Sequence, residues 1–510
     1  MEQIRIEHPG RAAVLTSEVR KVSPCALVIF GASGDLSRRK LMPAIYNLAR
    51  DGALPESFNL IGNCRSLSSC EEFLGILREA VPRFSRGPFD ESVWEKVAPR
   101  IGHVTGDPKQ PDTHAKLRDR LLEADRRYGT SGKHLFYIAT PPKTFLQIIR
   151  QLGDSGLLHA GVNKSGAAWP RVLIEKPFGH DLASARRLND LLAETVHESQ
   201  IYRIDHYLGK ETVQNILVFR FGNSIFEPLW NRKHVDYMEI TAAEEIGIGR
   251  RGAFYDETGV LRDVVQNHML QVLALCAMEP PVSHDAGGIR DEKTKVFRQL
   301  RGIRGEQARR DVVLGQYRGY RSEPNVAPDS RMPTYAALKV MIDNWRWQGV
   351  PFYLRAGKRL ATRMTEIAIS FQRIPFCLFG RENVCRTVEK NILTIRIQPE
   401  EGISLHFATK VPGEDLSVGT VTMDFNYSGV FEGPPPEAYE HLLLGCMRGD
   451  QTLFARRDGV ELQWQFMTPV LEAWESDPTA PICTYEQGSS GPSEADELLA
   501  RSGHTWREIK

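Results

Sequence analysis

The chain has 510 residues, 41% hydrophobic and 25% charged, with a formal net charge of +1. This is the composition of a globular protein of roughly two to four domains. A near-neutral balance excludes the whole-surface basic field of a nucleic-acid or anionic-membrane binder, so any phosphate site must be local. The eight cysteines are scattered, with no Cys-x-x-Cys and no zinc spacing, which fits reduced thiols, a cytoplasmic location and no metal site. No apolar run is long enough to span a membrane. Residues 1–24 lack the apolar core of a signal peptide and read as a flexible tail.

Ala26-Leu27-Val28-Ile29-Phe30 is a continuous apolar run, the pattern of a strand buried on both faces. It leads into Gly31-Ala32-Ser33-Gly34-Asp35-Leu36, and Leu41, Ile45 and Leu48 then recur at helical spacing. Strand, glycine turn and helix open a dinucleotide-binding unit, with Gly31 for the tight turn and Gly34 for close approach to a pyrophosphate. Only two glycines of G-x-G-x-x-G are present, so the turn alone fits an ordinary βα connection equally well. The second strand, from Phe58, ends at Arg65 and Ser66. An acid at this point selects NAD and an arginine pairs with the 2′-phosphate of NADP, so Arg65 favours NADP.

Amphipathic helices are predicted over 71–83 and 112–128, and further buried strands over 134–139 and 171–174. The last strand closes on Glu175-Lys176-Pro177-Phe178-Gly179, which places Lys176 at the ligand edge of the sheet.

Next comes Ile201-Tyr202-Arg203-Ile204-Asp205-His206-Tyr207-Leu208-Gly209-Lys210-Glu211. His206, Tyr207 and Lys210 are donors suited to a phosphate dianion. Asp205 opposes an anion unless its task is to orient a base. A polar turn before a helix at Glu211 is the alternative. The βα alternation ends here, at a domain junction, where clefts favour ligands.

Beyond it, strands are predicted over 235–243, 311–320, 366–372, 392–398, 403–410 and 420–425, with the close succession of an antiparallel sheet. Helices are predicted over 260–278, over 438–446 and after 493. Arg262-Asp263-Val264-Val265-Gln266-Asn267-His268 lies in the first of these. At about 100° per residue, Asp263 and His268 stand about 140° apart, and would share a pocket only if the helix met the ligand end-on.

The motifs taken together resemble the glucose-6-phosphate dehydrogenase family. The resemblance runs from about Ala26 to the C-terminus. It rests on the Gly31–Leu36 turn with Lys40 behind it, on Glu175–Gly179, Arg203–Glu211 and Arg262–His268, on Val350-Pro351-Phe352-Tyr353-Leu354-Arg355-Ala356-Gly357-Lys358, and on Gly491-Pro492-Ser493-Glu494-Ala495-Asp496. It implies an α/β Rossmann-type N-terminal domain plus an α+β C-terminal domain with a large, mainly antiparallel sheet. The expected division is 25–205 for the dinucleotide domain and 206–510 for substrate binding and oligomerisation. The implied reaction oxidises C1 of glucose 6-phosphate with NADP, NAD being the weaker alternative.

By position, the resemblance makes His268 the general base and Asp205 its orienting carboxylate. It places Lys176, His206, Tyr207, Lys210, Glu244, Asp263, Lys358, Arg363 and Gln398 around the substrate. Gly31, Ser33, Gly34, Asp35, Lys40, Arg65, Ser66 and Lys176 line the cofactor. It further implies a cis peptide before Pro177 and a homodimer or homotetramer built through the large sheet. Some family members hold a second, structural NADP with lysines and arginines. Three of those positions are Met364, Ala368 and His406 here, with Arg396 kept, so no tight second site is expected. Two other readings stand beside this one: a silent binder on the same fold, and a dehydrogenase for another sugar. Retention of Asp205 and His268 argues against the first, and the phosphate clamp argues against a free sugar.

Overall fold

In a computed structural model, the structure describes residues 22–67, 69–158, 169–376, 378, 388–413, 417–431 and 433–509. The expected tail, 1–24, lies outside the described residues except for its last three, which have no regular structure. Cys377 and Cys385 also lie outside them.

The apolar run near the N-terminus forms β1 (Cys25–Phe30), buried throughout. Its alternate residues feed two separate cores. Ala26, Val28 and Phe30 face one layer of helices, and Cys25, Leu27 and Ile29 face the other. A strand covered on both sides has no polar face to show, which is why this sequence does not alternate. Parallel pairing joins β1 to β2 (Phe58–Cys64), β3 (Ile101–Thr105), β4 (His134–Ile138), β5 (Arg171–Ile174) and β6 (Ile201–Ile204). The order is β6-β5-β4-β1-β2-β3, and the two-residue strand Phe454–Ala455 adds antiparallel to β6. That late strand, and the helix Ala438–Arg448 packed into the N-terminal core, come from the second half of the chain. A single cut at 205/206 therefore does not separate the two sheets.

The second sheet has nine strands. Eight are β7 (Val235–Ala243), β8 (Val312–Tyr317), β9 (Tyr335–Met341), β10 (Pro351–Gly357), β11 (Met364–Phe371), β12 (Ile392–Gln398), β13 (Gly402–Lys410) and β14 (Val418–Asn426). The order is β14-β13-β12-β11-β7-β10-β9-β8, closed by Cys483–Tyr485. Most pairs are antiparallel; β7 with β10, and β8 with the closing strand, are parallel. The predicted strand over 311–320 is shorter at both ends, because Asp311 closes the helix Glu306–Asp311 and Tyr320 opens a short 3-10 turn.

The helical run after Gly252 departs most from the expected geometry. Gly259, at φ 63°, breaks it. From Leu261 to Met269 it is wound as a π-helix, and α-helix resumes at Leu270–Ala277. No membrane-length apolar helix occurs among the described residues.

Candidate active site

Parallel strands deliver their carboxyl ends to one edge, and the candidate site is assembled there. Asp205 follows β6 directly. Its Oδ1 accepts from His268 Nδ1 at 2.5 Å and from the Tyr207 backbone N–H at 3.0 Å. A carboxylate on Nδ1 fixes the proton there and leaves Nε2 as the free acceptor. His268 Nε2 is buried with no partner among the described residues. Burial lowers the proton affinity of His268, and Asp205 pulls it partly back. Burial would raise the Asp205 carboxyl, but His268, the Tyr207 N–H and Lys176 together hold it below the usual range. The pair is thus a carboxylate and a neutral imidazole near neutral pH.

The π winding makes this pocket. Its hydrogen bonds run from residue i to i+5, so Asp263 and His268, five apart, come onto one face. The end-on approach expected for an α-helix is not needed. Asp263 Oδ1 accepts from Lys176 Nζ at 2.6 Å, and the Asp263 carbonyl accepts from the same ammonium at 3.1 Å. Burial would raise Asp263, but Lys176 and Lys358 drive it far below the carboxylate range. Lys176 precedes a cis Pro177. Beneath it, the buried Glu175 accepts from Tyr137 Oη at 2.6 Å and from Tyr439 Oη at 3.3 Å.

Around the pair lie the other proposed substrate residues. The rings of Tyr207 and His268 stack at 4.3 Å, and His206 meets His268 edge-on at 4.3 Å. Burial, then His268, Lys176 and Lys210, hold His206 well below its ordinary value. Lys210 Nζ donates to Gln398 Oε1 at 2.5 Å, and Gln398 Nε2 donates to Thr365 Oγ1 at 2.9 Å. Burial, helped by the Arg363 charge, pushes Lys210 down to about 8. Lys358 Nζ donates to Glu244 Oε2 at 2.5 Å. Asp205 therefore spends its Oδ1 on the imidazole and the Tyr207 N–H rather than on the neighbouring cations.

At the same edge, Gly31 has φ 82°, and a Cβ there would stand 2.9 Å from the Ala139 carbonyl oxygen. The Gly34 N–H donates to the Gly31 carbonyl at 2.9 Å. The turn closes on itself and packs on the Ala139 backbone, a close approach that glycine at 31 permits. Arg65 and Ser66 are exposed just past β2. Burial raises the Cys64 thiol, and its hydrogen bond with Ser33 opposes this. Asp35 pairs loosely with Arg39 at 3.9 Å. Lys40 does not point into the turn's own strand; its Nζ donates to Glu437 Oε2 at 2.7 Å, and its charge bears on His206 and Lys210.

Two family models match this chain end to end: "Glucose-6-phosphate dehydrogenase, NAD binding domain" over residues 28–215 and "Glucose-6-phosphate dehydrogenase, C-terminal domain" over 217–507. The chain belongs to the glucose-6-phosphate dehydrogenase family. A glucose-6-phosphate 1-dehydrogenase of Chlamydia pneumoniae is 46% identical over 501 residues, covering 96% of this chain and 97% of that protein. One from Aggregatibacter actinomycetemcomitans is 44% identical over 497 residues, covering 96% and 98%. Among solved structures, a glucose-6-phosphate dehydrogenase in complex with its substrate glucose-6-phosphate superposes with a TM-score of 0.85 at 35% identity, covering 96% of this chain and 100% of that one. The Mycobacterium avium glucose-6-phosphate 1-dehydrogenase gives 0.82 at 38%, covering 96% and 99%.

Within this family fold, Thr365, Tyr137 and Tyr439 are site neighbours that the sequence reading did not single out. Thr365 stands in register with Gln398 across β11 and β12, a contact visible only once the strands are paired. Tyr439 reaches Glu175 from a helix 264 residues away in sequence. Tyr137, by contrast, sits two residues before the end of the strand predicted over 134–139, where position could have flagged it. Among the described residues, no group of three or more His, Cys, Asp or Glu side chains could hold a metal.

Proposed function

We propose that this chain oxidises the C1 hydroxyl of β-D-glucose 6-phosphate to 6-phosphoglucono-δ-lactone with NADP as hydride acceptor, the entry step of the oxidative pentose phosphate pathway. The observation that carries the mechanism is a buried histidine, locked by Asp205 through Nδ1, whose Nε2 is unpartnered beside a cluster of phosphate-binding donors. In this reading Lys210, His206 and Tyr207 grip the phosphate, with Arg363 and Gln398 at its rim. Lys176, Asp263, Glu244 and Lys358 orient the sugar. Holding the remote phosphate places C1 and its hydroxyl for reaction, an orientation worth several kcal/mol of the barrier.

His268 Nε2 takes the hydroxyl proton as the C1–O bond gains carbonyl character. Asp205 stabilises the imidazolium that forms and keeps the ring in one tautomer. NADP, when bound, accepts the hydride from C1. The Gly31–Gly34 turn, with Ser33, Asp35 and Lys40 around it, is the proposed pyrophosphate side. The tight turn, held by the Gly34 N–H to the Gly31 carbonyl at the carboxyl edge of the parallel sheet, supports that fit. Arg65 and Ser66 would hold the 2′-phosphate.

We further infer assembly through the large sheet as a dimer or tetramer. Its outer strand β14 exposes Met423, with Val411 and Phe431 exposed close by in sequence, apolar surface that a second subunit would cover. A single NADP per subunit is inferred. Met364, Ala368 and His406 cannot supply strong cations, and Arg396 is engaged by Asp424 at 2.9 Å and Asn426 at 2.7 Å. A cytoplasmic site of action fits the free thiols.

The test is reduced-nicotinamide absorbance with purified protein, comparing glucose 6-phosphate, galactose 6-phosphate and free glucose, each with NADP and with NAD. Rapid reduction confined to glucose 6-phosphate and faster with NADP supports the reading. Equal rates with both nucleotides would discard the Arg65 argument and keep the reaction. No reduction by folded protein would leave a silent binder.

A further inference from the structure

Thr365 lies on β11 and is 1% exposed. It stands opposite Gln398 on β12, but the next pair is Glu366 with Arg396, so one step on β11 spans two on β12. The extra residue, Ile397, makes a bulge, a device that re-aims the side chains beside it. Its carbonyl accepts from Thr212 Oγ1 at 3.4 Å, in the first turn of the helix Glu211–Phe221 that follows Lys210. The bulge thus anchors the Lys210 turn against the part of the sheet where Thr365 and Gln398 meet.

Four side chains join there in order. Lys210 Nζ donates to Gln398 Oε1 at 2.5 Å, Gln398 Nε2 donates to Thr365 Oγ1 at 2.9 Å, and Thr365 Oγ1 stands 3.4 Å from Tyr207 Oη. Lys210 Nζ lies 4.2 Å from the centre of the Tyr207 ring, so the chain returns to its start. The direction of each bond follows from the groups themselves. An ammonium only donates, so Gln398 turns its oxygen to Lys210. Its NH2 then faces Thr365, whose oxygen accepts. The Thr365 proton has Tyr207 Oη as its acceptor, and the phenol proton is left for a ligand. Burial keeps the Tyr207 phenol protonated, with the Thr365 contact opposing it.

We propose that Thr365 is a positioning residue for the substrate phosphate, whose hydroxyl ties the Gln398 amide to the Tyr207 phenol so that Lys210 and Tyr207 present their donors to one anion. The inference rests on the reading of Lys210 and Tyr207 as phosphate residues. A phosphate dianion only accepts. Once it takes the Tyr207 proton, Tyr207 Oη can only receive, and the Thr365 hydroxyl is the donor set beside it. The 3.4 Å contact is long for a pair of hydroxyls and tightens as the anion draws on the phenol. Thr365 has no part in proton or hydride transfer, so its loss acts on binding. If it only filled the strand, valine, of nearly the same shape, would serve as well.

The test is the KM and kcat for glucose 6-phosphate with NADP, with inorganic phosphate as the competing inhibitor. In Thr365→Val, the KM and the inhibition constant for phosphate should rise together by about tenfold, with kcat kept. Thr365→Ser, which retains the hydroxyl, should bring both back towards the wild-type values. Thr365→Ala also lacks the hydroxyl and stands in should the valine variant not fold. A folded Thr365→Val or Thr365→Ala with both constants unmoved overturns the inference. So does a serine variant as weak as the valine one, or a fall in kcat alone. Lys210→Ala and Tyr207→Phe, measured alongside, separate the two readings. Unchanged phosphate inhibition in both would remove the clamp itself, whereas weakened inhibition there with unmoved constants in Thr365→Val removes only the role given to Thr365.

Discussion

Asp263 and His268 stand on one helical face, five residues apart, because the chain between them is wound with π spacing. The extra residue per turn brings the Lys176–Asp263 ion pair next to the imidazole, where both charges act on it: Lys176 lowers its proton affinity and Asp263 raises it. Such windings are rare, and where they occur they tend to mark functional sites.

Asp263→Asn tests this coupling. The substitution removes a negative charge and leaves Lys176 uncompensated, and both changes lower the proton affinity of His268. The acid limb of kcat/KM should move to lower pH, with a higher KM for the sugar phosphate. A limb displaced to higher pH would mean that Asp263 does not act on the base.

The wild-type pH profile has its own expected form. Burial depresses His268, and the base works unprotonated, so activity should persist below the ordinary histidine value of about 6.5 before falling. On the alkaline side Lys210, lowered to about 8, loses its charge as pH rises through that value. kcat/KM for glucose 6-phosphate should then fall through a rise in KM. In Lys210→Ala the alkaline limb should disappear and KM should be high throughout; a persistent limb near pH 8 would assign it to another group.

Gly31→Ala addresses the cofactor turn. The position combines φ 82° with a Cβ 2.9 Å from the Ala139 carbonyl oxygen. Alanine there costs about 1–2 kcal/mol in backbone strain alone, and its methyl group meets the Ala139 backbone and so displaces the turn. A lower melting temperature and a raised KM for NADP are expected, with KM for the sugar little changed. Unchanged NADP kinetics would move the pyrophosphate elsewhere.

Arg65→Ala should narrow the preference between NADP and NAD by weakening NADP alone, read from kcat/KM for each nucleotide. Arg65 is exposed, so its loss should leave the melting temperature near that of the wild type. An equal loss with both nucleotides would contradict a 2′-phosphate role.

Much of this fold can be read in the chain itself. β1, β2, β4 and β5 announce themselves as apolar runs because both of their faces are covered, and β1, β2 and β5 lead directly into residues of the candidate site. β9 and β10 were not recognised as strands. β10 is buried on both sides and lies inside a motif that drew attention for its lysine, while β9 carries alanines that give little β signal. The residues of the candidate site stand out by motif, but the shape in which they meet does not. A straight α-helix puts His268 and Asp263 on different faces, and only tertiary packing imposes the π winding. Thr365 and Tyr439 enter through strand pairing and through a helix returning from the far end of the chain.

The central claim is that His268 removes the proton of the C1 hydroxyl while Asp205 holds the imidazole. The most direct measurement is steady-state reduction of NADP by glucose 6-phosphate in His268→Asn, with substrate affinity measured separately on the same protein. Loss of the base predicts a fall in kcat of about 10²–10⁴ with the sugar phosphate still bound nearly as tightly. Near-normal turnover in the folded variant would contradict the account, because among the described residues no other group in the pocket combines an unpartnered acceptor with a carboxylate fixing its tautomer.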